Sequence, residues 1–166
     1  RLNPDLINLH WFYNNHLRIE TIAKLGRPTI WTLHDMWAFT GGCHYDQNCG
    51  RYVDSCGACP QLKSDNNCDL SRWIWQRKSQ AWKNIPLTII TPSKWLARSS
   101  SLFRNLPIEV IPNGVDLQRF KPVDRQLVRS LLNLPQNKQL ILFGAVKATS
   151  DRRKGFYLLK AAQKMY

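Results

Sequence analysis

The sequence contains no apolar run of 18 residues, which excludes a helix long enough to cross a bilayer. Acidic residues are scarce: 11 Asp and Glu stand against 24 Lys and Arg, for a net charge of +13. That balance favours an anionic partner such as nucleic acid, anionic lipid or a phosphorylated substrate, although a basic piece of a less basic whole would carry the same excess. The spacings of zinc fingers, helix-turn-helix units and RNP motifs are missing and the basic residues are scattered, so nucleic acid is not expected as a partner. No repeat and no low-complexity tract is present. No signal peptide is visible within these residues; Arg1 stands where a Met would start and Tyr166 falls inside a helical pattern, so the chain reads as a piece of a longer one. Its 166 residues suffice for one domain or slightly more. Five cysteines is an odd count that argues against a closed disulfide framework. Bound metal or reduced thiols fit better, and with them a cytoplasmic location.

What is present is organised around residues 29–60, TIWTLHDMWAFTGGCHYDQNCGRYVDSCGACP. The β-branched run at its start reads as a buried strand that stops at His34-Asp35. Residues just past the carboxyl end of such a strand line the ligand crevice of an open α/β sheet. His10 ends a shorter run, 5–10, and could face the same crevice or be a plain structural histidine beside Trp11.

The rest of the chain alternates. Asn15 or the turn before it opens a helix over 17–25, with Gly26 as its C-cap. The cysteine loop fills 36–68. Asp69 caps a helix over 70–84, ended by Pro86. Strands are expected at 87–91 and 108–111, with a helix capped by Ser93 between them. Pro112-Asn113-Gly114 signals a sharp turn, and Asn113 and Gly114 read as a hinge. A helix at 123–132, a strand at 139–143 and a helix at 155–165 follow. Strand–helix alternation with short links argues for an α/β fold on a parallel, doubly wound Rossmann-like sheet. The domain boundary is expected at 115/116.

Cys43, Cys49, Cys56 and Cys59 have the spacing C-x5-C-x6-C-x2-C. The closing CGAC suits a metal knuckle, since its glycine frees the backbone to turn two sulfurs toward one ion. Four thiolates would make a closed structural zinc site; packed reduced thiols or disulfides are the alternatives. Cys68 lies outside this set, and His44 is a possible substitute ligand. In the helix over 70–84, Leu70, Trp73, Ile74 and Ala81 form one stripe at helical spacing and are expected to face the core. Trp75, Lys78 and Trp82 lie well round from it and would suit an anionic membrane interface, or a face covered by another part of the protein.

Three stretches together, TLHDMWAFTGGCHY, IPNGVDLQRFKP and ILFGAVKATSDRRKGFYLLKAA, resemble the family 4 glycosyltransferases, and the cysteine loop resembles their bacterial branch for exopolysaccharide and lipopolysaccharide. The resemblance implies two facing Rossmann-like domains (the GT-B architecture), with 1–115 the later part of the acceptor side and 116–166 the start of the donor side. The family's opening Gly-rich motif and its C-terminal acidic motif are absent. It implies retaining transfer of a hexose from a nucleoside-diphosphate sugar to a glycan or lipid-linked acceptor, without a catalytic metal. His34 would be catalytic at the cleft, with His10 and Asp35 beside it. Gly144, Arg153, Lys154 and Gly155 would hold the donor. The family often carries an Arg directly after the donor-strand glycine; here Gly144 is followed by Ala145, so the cationic role falls mainly to Lys154. The isolated piece is expected to be inactive. A zinc-knuckle module binding nucleic acid, or a non-catalytic interaction module, is the alternative reading.

Overall fold

The computed structural model describes residues 3–12, 17–147 and 149–164. It divides into two compact units, 1–115 and 116–166. The first holds a four-stranded, all-parallel sheet: β1 (Ile7–Leu9), β2 (Thr29–Thr32), β3 (Leu87–Thr91) and β4 (Ile108–Val110), in the order β1-β2-β3-β4. Register pairs Leu9 with Trp31, Trp31 with Ile89 and Ile89 with Ile108. The fold is α/β, with sheet strands alternating with helical segments. Strand order runs in sequence, so these four strands contain no reversal of the kind that marks a doubly wound sheet.

Period-2 alternation decides which side of the sheet becomes core. Trp31, Leu87 and Ile89 point into a cluster with Phe12, Phe39, Trp82, Leu96 and Phe103. Trp82 meets Trp31 edge-on with ring centroids 4.9 Å apart, and the Phe12 ring also lies 4.9 Å from that of Trp31. Each such side chain contributes about 1.5–3 kcal/mol on full burial.

Two expected caps are in place. The Asp69 carboxylate accepts from the backbone N–H groups of Ser71 and Arg72 at the start of α1 (Leu70–Trp82). Ser93 accepts from the Leu96 N–H at the start of α2 (Lys94–Ser99). That second helix breaks at Ser100 into a 3-10 turn, Ser101–Phe103, short of the continuous helix expected. The segment before Gly26 is likewise a 3-10 turn, Ile19–Lys24, because i→i+3 bonds close so short a piece. Gly26 follows in the left-handed region at φ 62°. Asn15 lies outside the described residues.

Pro112-Asn113-Gly114 makes no turn. Pro112 favours an extended Ile111, whose N–H donates to the Thr91 carbonyl at 2.9 Å and prolongs the ladder. Gly114 permits a left-handed conformation but stays outside it. The chain turns at Asp116 instead, whose carboxylate accepts from the N–H groups of Gln118 and Arg119.

The second unit contains α3 (Arg125–Leu131), capped by Asp124, and α4 (Phe156–Ala162). The expected strand at 139–143 does not form. A strand requires a partner for its backbone groups, and this unit has no other strand among its described residues. Leu142 is 97% exposed in consequence. Met165, expected in the last helix, lies outside the described residues.

Candidate functional site

The carboxyl ends of β1 and β2 carry a polar cluster. Parallel register brings His10 beside the end of β2, and its Nδ1 lies 3.0 Å from Nε2 of His34 with the rings stacked 5.3 Å apart. Both imidazoles are exposed. Asp35, the next residue, turns inward and is 9% exposed. Its Oδ1 accepts the Trp37 backbone N–H at 2.8 Å, and its Oδ2 accepts the Trp11 indole N–H at 2.9 Å. The same Oδ2 lies 2.8 Å from Nδ1 of His44. The His44 carbonyl accepts the Met36 N–H at 3.0 Å, so the cysteine loop folds back on the strand end it leaves. His44 is therefore a partner of Asp35 through its Nδ1. The sequence pairs these residues only through contacts 9 and 24 positions apart, which no local pattern reveals.

The four cysteines Cys43, Cys49, Cys56 and Cys59 line one pocket of about 320 Å³ against the first turn of α1. Cys56, Gly57 and Ala58 all have positive φ, 55°, 104° and 42°, so the CGAC segment is tightly coiled. It is tied to α1 by Gly57 N–H to Ser71 Oγ, 3.0 Å, and by Cys59 N–H to Asp69 Oδ2, 2.8 Å. Hydrogen bonds from Ser71, Cys59 and Arg72 outweigh burial and hold the Asp69 carboxyl at about 2. A Cβ on Gly57 would fall 2.3 Å from the Asn67 carbonyl oxygen, and one on Gly41 2.3 Å from that of Ser71, so the loop seats on the helix only with glycine at both places. The Gly41 N–H points at Cys56 Sγ, 3.2 Å away. Burial pushes the Cys43 and Cys56 thiols up, Cys56 to about 11. Among the described residues no three His, Cys, Asp or Glu side chains are grouped closely enough to hold a metal ion. Cys68 is exposed.

The faces of α1 differ from those expected: of the stripe Leu70, Trp73, Ile74 and Ala81, only Ala81 packs against the core cluster and Ile74 is half-buried. Ser71, Lys78 and Trp82 are buried, and the Trp75 indole donates to the Tyr52 carbonyl at 3.0 Å. Leu70 and Trp73 are 55% and 54% exposed. The face proposed for a membrane is thus the inner one. Lys78 lies on the buried face with its charge satisfied. Its ammonium donates to the carbonyls of Trp37 and Thr40, the latter at 3.0 Å, and lies 3.6 Å from the centre of the Trp37 ring. With its head satisfied, its stem packs like an apolar side chain. The turn it grips is the one whose Trp37 N–H holds Asp35. Burial lowers the Lys78 amine to about 7, against the opposing pull of Cys43, Cys56 and Asp35. Sequence reading placed Lys78 on an outer face because apolar periodicity counts a lysine as solvent-facing, whereas it is buried.

In the second unit, Gly144 keeps an ordinary φ with open space around it. Arg152–Lys154 form a 3-10 turn closed by Gly155 at φ 75°. The Arg153 guanidinium is held by Asp151 at 2.6 Å, and Arg152 lies 5.0 Å from the Tyr157 ring. Lys154 is exposed and has no side-chain hydrogen bond or ion pair among the described residues.

Residues 1–119 match the family described as Glycosyltransferase Family 4. The chain belongs to this family. Over 129 residues the family 4 chain is also 23% identical to WcaC of Escherichia coli (strain K12), whose name assigns it to colanic acid biosynthesis as a glycosyl transferase. That alignment covers 69% of this chain and 32% of WcaC, so the chain spans about a third of the relative's length. No solved structure matches the family 4 chain significantly.

Proposed function

We propose that the chain is part of a retaining, metal-independent hexosyltransferase of the GT-B type, from the cysteine-loop branch that builds bacterial exopolysaccharide and lipopolysaccharide. The observation that carries this is the His10–His34 pair with Asp35 at the carboxyl edge of a parallel sheet, in a chain of family 4. A neutral imidazole there can bond sugar hydroxyls and stabilise developing charge, the role proposed for His34. Residues 1–115 would serve the acceptor side and 116–166 begin the donor side, with Gly144, Lys154 and Gly155 against the donor phosphates; Arg153, engaged by Asp151, is the weaker candidate. The donor would be a nucleoside-diphosphate sugar and the acceptor a glycan or lipid-linked glycan, at the cytoplasmic face of the membrane. With the tryptophan face of α1 buried, contact with an anionic membrane is supported only by the net charge of +13. The complete enzyme, given nucleoside-diphosphate hexoses and a lipid-linked acceptor, should release the nucleoside diphosphate with the anomeric configuration kept and need no added Mg²⁺ or Mn²⁺. Absence of transfer would overturn the reading; an inverted product or a requirement for Mg²⁺ would overturn the retaining or the metal-independent part.

We propose further that the four loop thiols hold a structural zinc ion. Their spacing, their common pocket and the Gly41 N–H on Cys56 Sγ support it. Binding would draw the sulfurs together and displace protons that burial holds on Cys43 and Cys56. Protein purified without chelator should contain about one zinc per chain, the stoichiometry of a four-thiolate site. Four thiols that titrate with no metal lost, or disulfides among them, would refute it.

A further inference from the structure

We infer that His10 is a positioning residue for His34: the two imidazoles share one proton, and His10 Nδ1 fixes the ring orientation and tautomer that His34 presents; this rests on the glycosyl-transfer reading above. The pair is built by the parallel register that sets Leu9 beside Trp31. Side chains 24 residues apart then meet along one face: Thr32 Oγ donates to Asn8 Oδ1 at 3.5 Å, and two residues further on His10 meets His34 at 3.0 Å, since alternate residues share a face. The backbone on either side of His34 is held. The Leu33 N–H donates to the Ile90 carbonyl at 2.8 Å, and Asp35 accepts the Trp37 N–H. The exposed imidazole between them takes its orientation from His10, its one side-chain hydrogen bond among the described residues.

The ring geometry specifies the chemistry. The centroid separation of 5.3 Å is the N···N distance extended by the radius of each ring, so the two nitrogens face each other along the line between the rings. With the planes 27° apart, the lone pair of one nitrogen lies close to the N–H of the other. A neutral imidazole carries one ring proton. Of the two protons in the neutral pair, one lies between Nδ1 of His10 and Nε2 of His34. The other sits on an outer nitrogen, either Nδ1 of His34 or Nε2 of His10. The pair therefore presents one donor and one acceptor to its surroundings, and both rings hold the same tautomer: both Nδ1–H or both Nε2–H. Without His10, the His34 ring would rotate and exchange tautomers, and its nitrogen would meet a reacting oxygen correctly only part of the time. His10 acts through His34 and not on the substrate.

Nitrogen-15 NMR of the chain, reduced and at about pH 8.5 where imidazoles are neutral, tests the pairing. His10 and His34 should show the same tautomer, and His10→Phe should return His34 to the tautomer mixture of a free imidazole. His10→Asn, whose amide takes the place of Nδ1, should keep His34 in a single form. His10→Gln, whose amide takes the place of Nε2, should not. Both imidazoles are exposed, so these changes leave the core intact. In the complete enzyme, His10→Phe should lower kcat roughly tenfold, the scale of one hydrogen bond expressed in the transition state, and leave KM for donor and acceptor within about twofold. His10→Asn should regain most of that loss and His10→Gln little. Opposite tautomers in the wild type, an unchanged His34 signal or unchanged kcat in His10→Phe, or equal rescue by Asn and Gln would overturn the assignment. Matched tautomers that depend on His10, in a protein that transfers no sugar, would leave the positioning role standing and refute the transferase reading instead.

Discussion

Replacing Lys78 with methionine should destabilise the metal-free, reduced protein by about 2–4 kcal/mol at pH 8.5, because two buried carbonyls lose their donor at roughly 1–3 kcal/mol each. Methionine keeps most of the stem volume, so a large cavity does not form. The lost bonds are those to Trp37 and Thr40, and the turn they hold carries the N–H that fixes Asp35. The pH profile distinguishes this from a general packing loss. The Lys78 amine falls from 10.5 to about 7 in the folded chain. Between those values the unfolded chain holds a proton that the folded chain has released. Raising the pH removes that advantage of the unfolded state, so folded stability rises from pH 7 upward. Cys56 acts in the opposite sense. Its thiol moves from 9.0 to about 11, so the folded chain keeps a proton the unfolded chain loses, and stability declines above pH 9. The wild-type protein should therefore gain stability from pH 7 to about 9 and level off or fall beyond, on the linkage of these two groups. Lys78→Met should show only the decline. Urea midpoints measured from pH 6.5 to 10 with chelator and reductant decide the matter, and parallel profiles for the two proteins would show that Lys78 is not the titrating group.

Replacing Lys154 with alanine in the complete enzyme should lower turnover by roughly a hundredfold or more, the effect of losing one preorganised charge at a site of developing charge. The leaving diphosphate gains negative charge as the glycosidic bond breaks, so a cation beside it assists the transition state more than the ground state. Three cationic side chains follow one another here, and the structure separates them. Arg153 is neutralised by Asp151, whose carboxyl it holds below the usual range. Arg152 lies against Tyr157. Lys154 is exposed and makes no pair with a described side chain, so its charge is available to a ligand. Its substitution should leave the melting temperature almost unchanged for the same reason. Near wild-type transfer by Lys154→Ala, with Arg152→Ala the damaging change, would assign the role to the other end of the turn.

By itself the sequence determined the local pieces: the strand after Pro86, the caps at Asp69 and Ser93, the left-handed Gly26, and the polar stop at His34-Asp35. These depend on neighbours within a few residues, and β-branched runs and side-chain oxygens near free N–H groups act at that range. Tertiary structure decided everything that depends on partners far along the chain. Lys78 sits on the core face of α1 with its two carbonyl partners 41 and 38 residues before it, out of reach of any local pattern. The stretch 139–143 has the composition of a strand, but a strand exists only where another chain segment accepts its hydrogen bonds. Trp11, Asp35 and His44 are joined only in the tertiary structure, where parallel pairing of β1 with β2 brings the two strand ends together and the cysteine loop folds back over them. The physical reason is the same in each case: buried polar groups must find partners, and sequence distance does not limit where those partners come from.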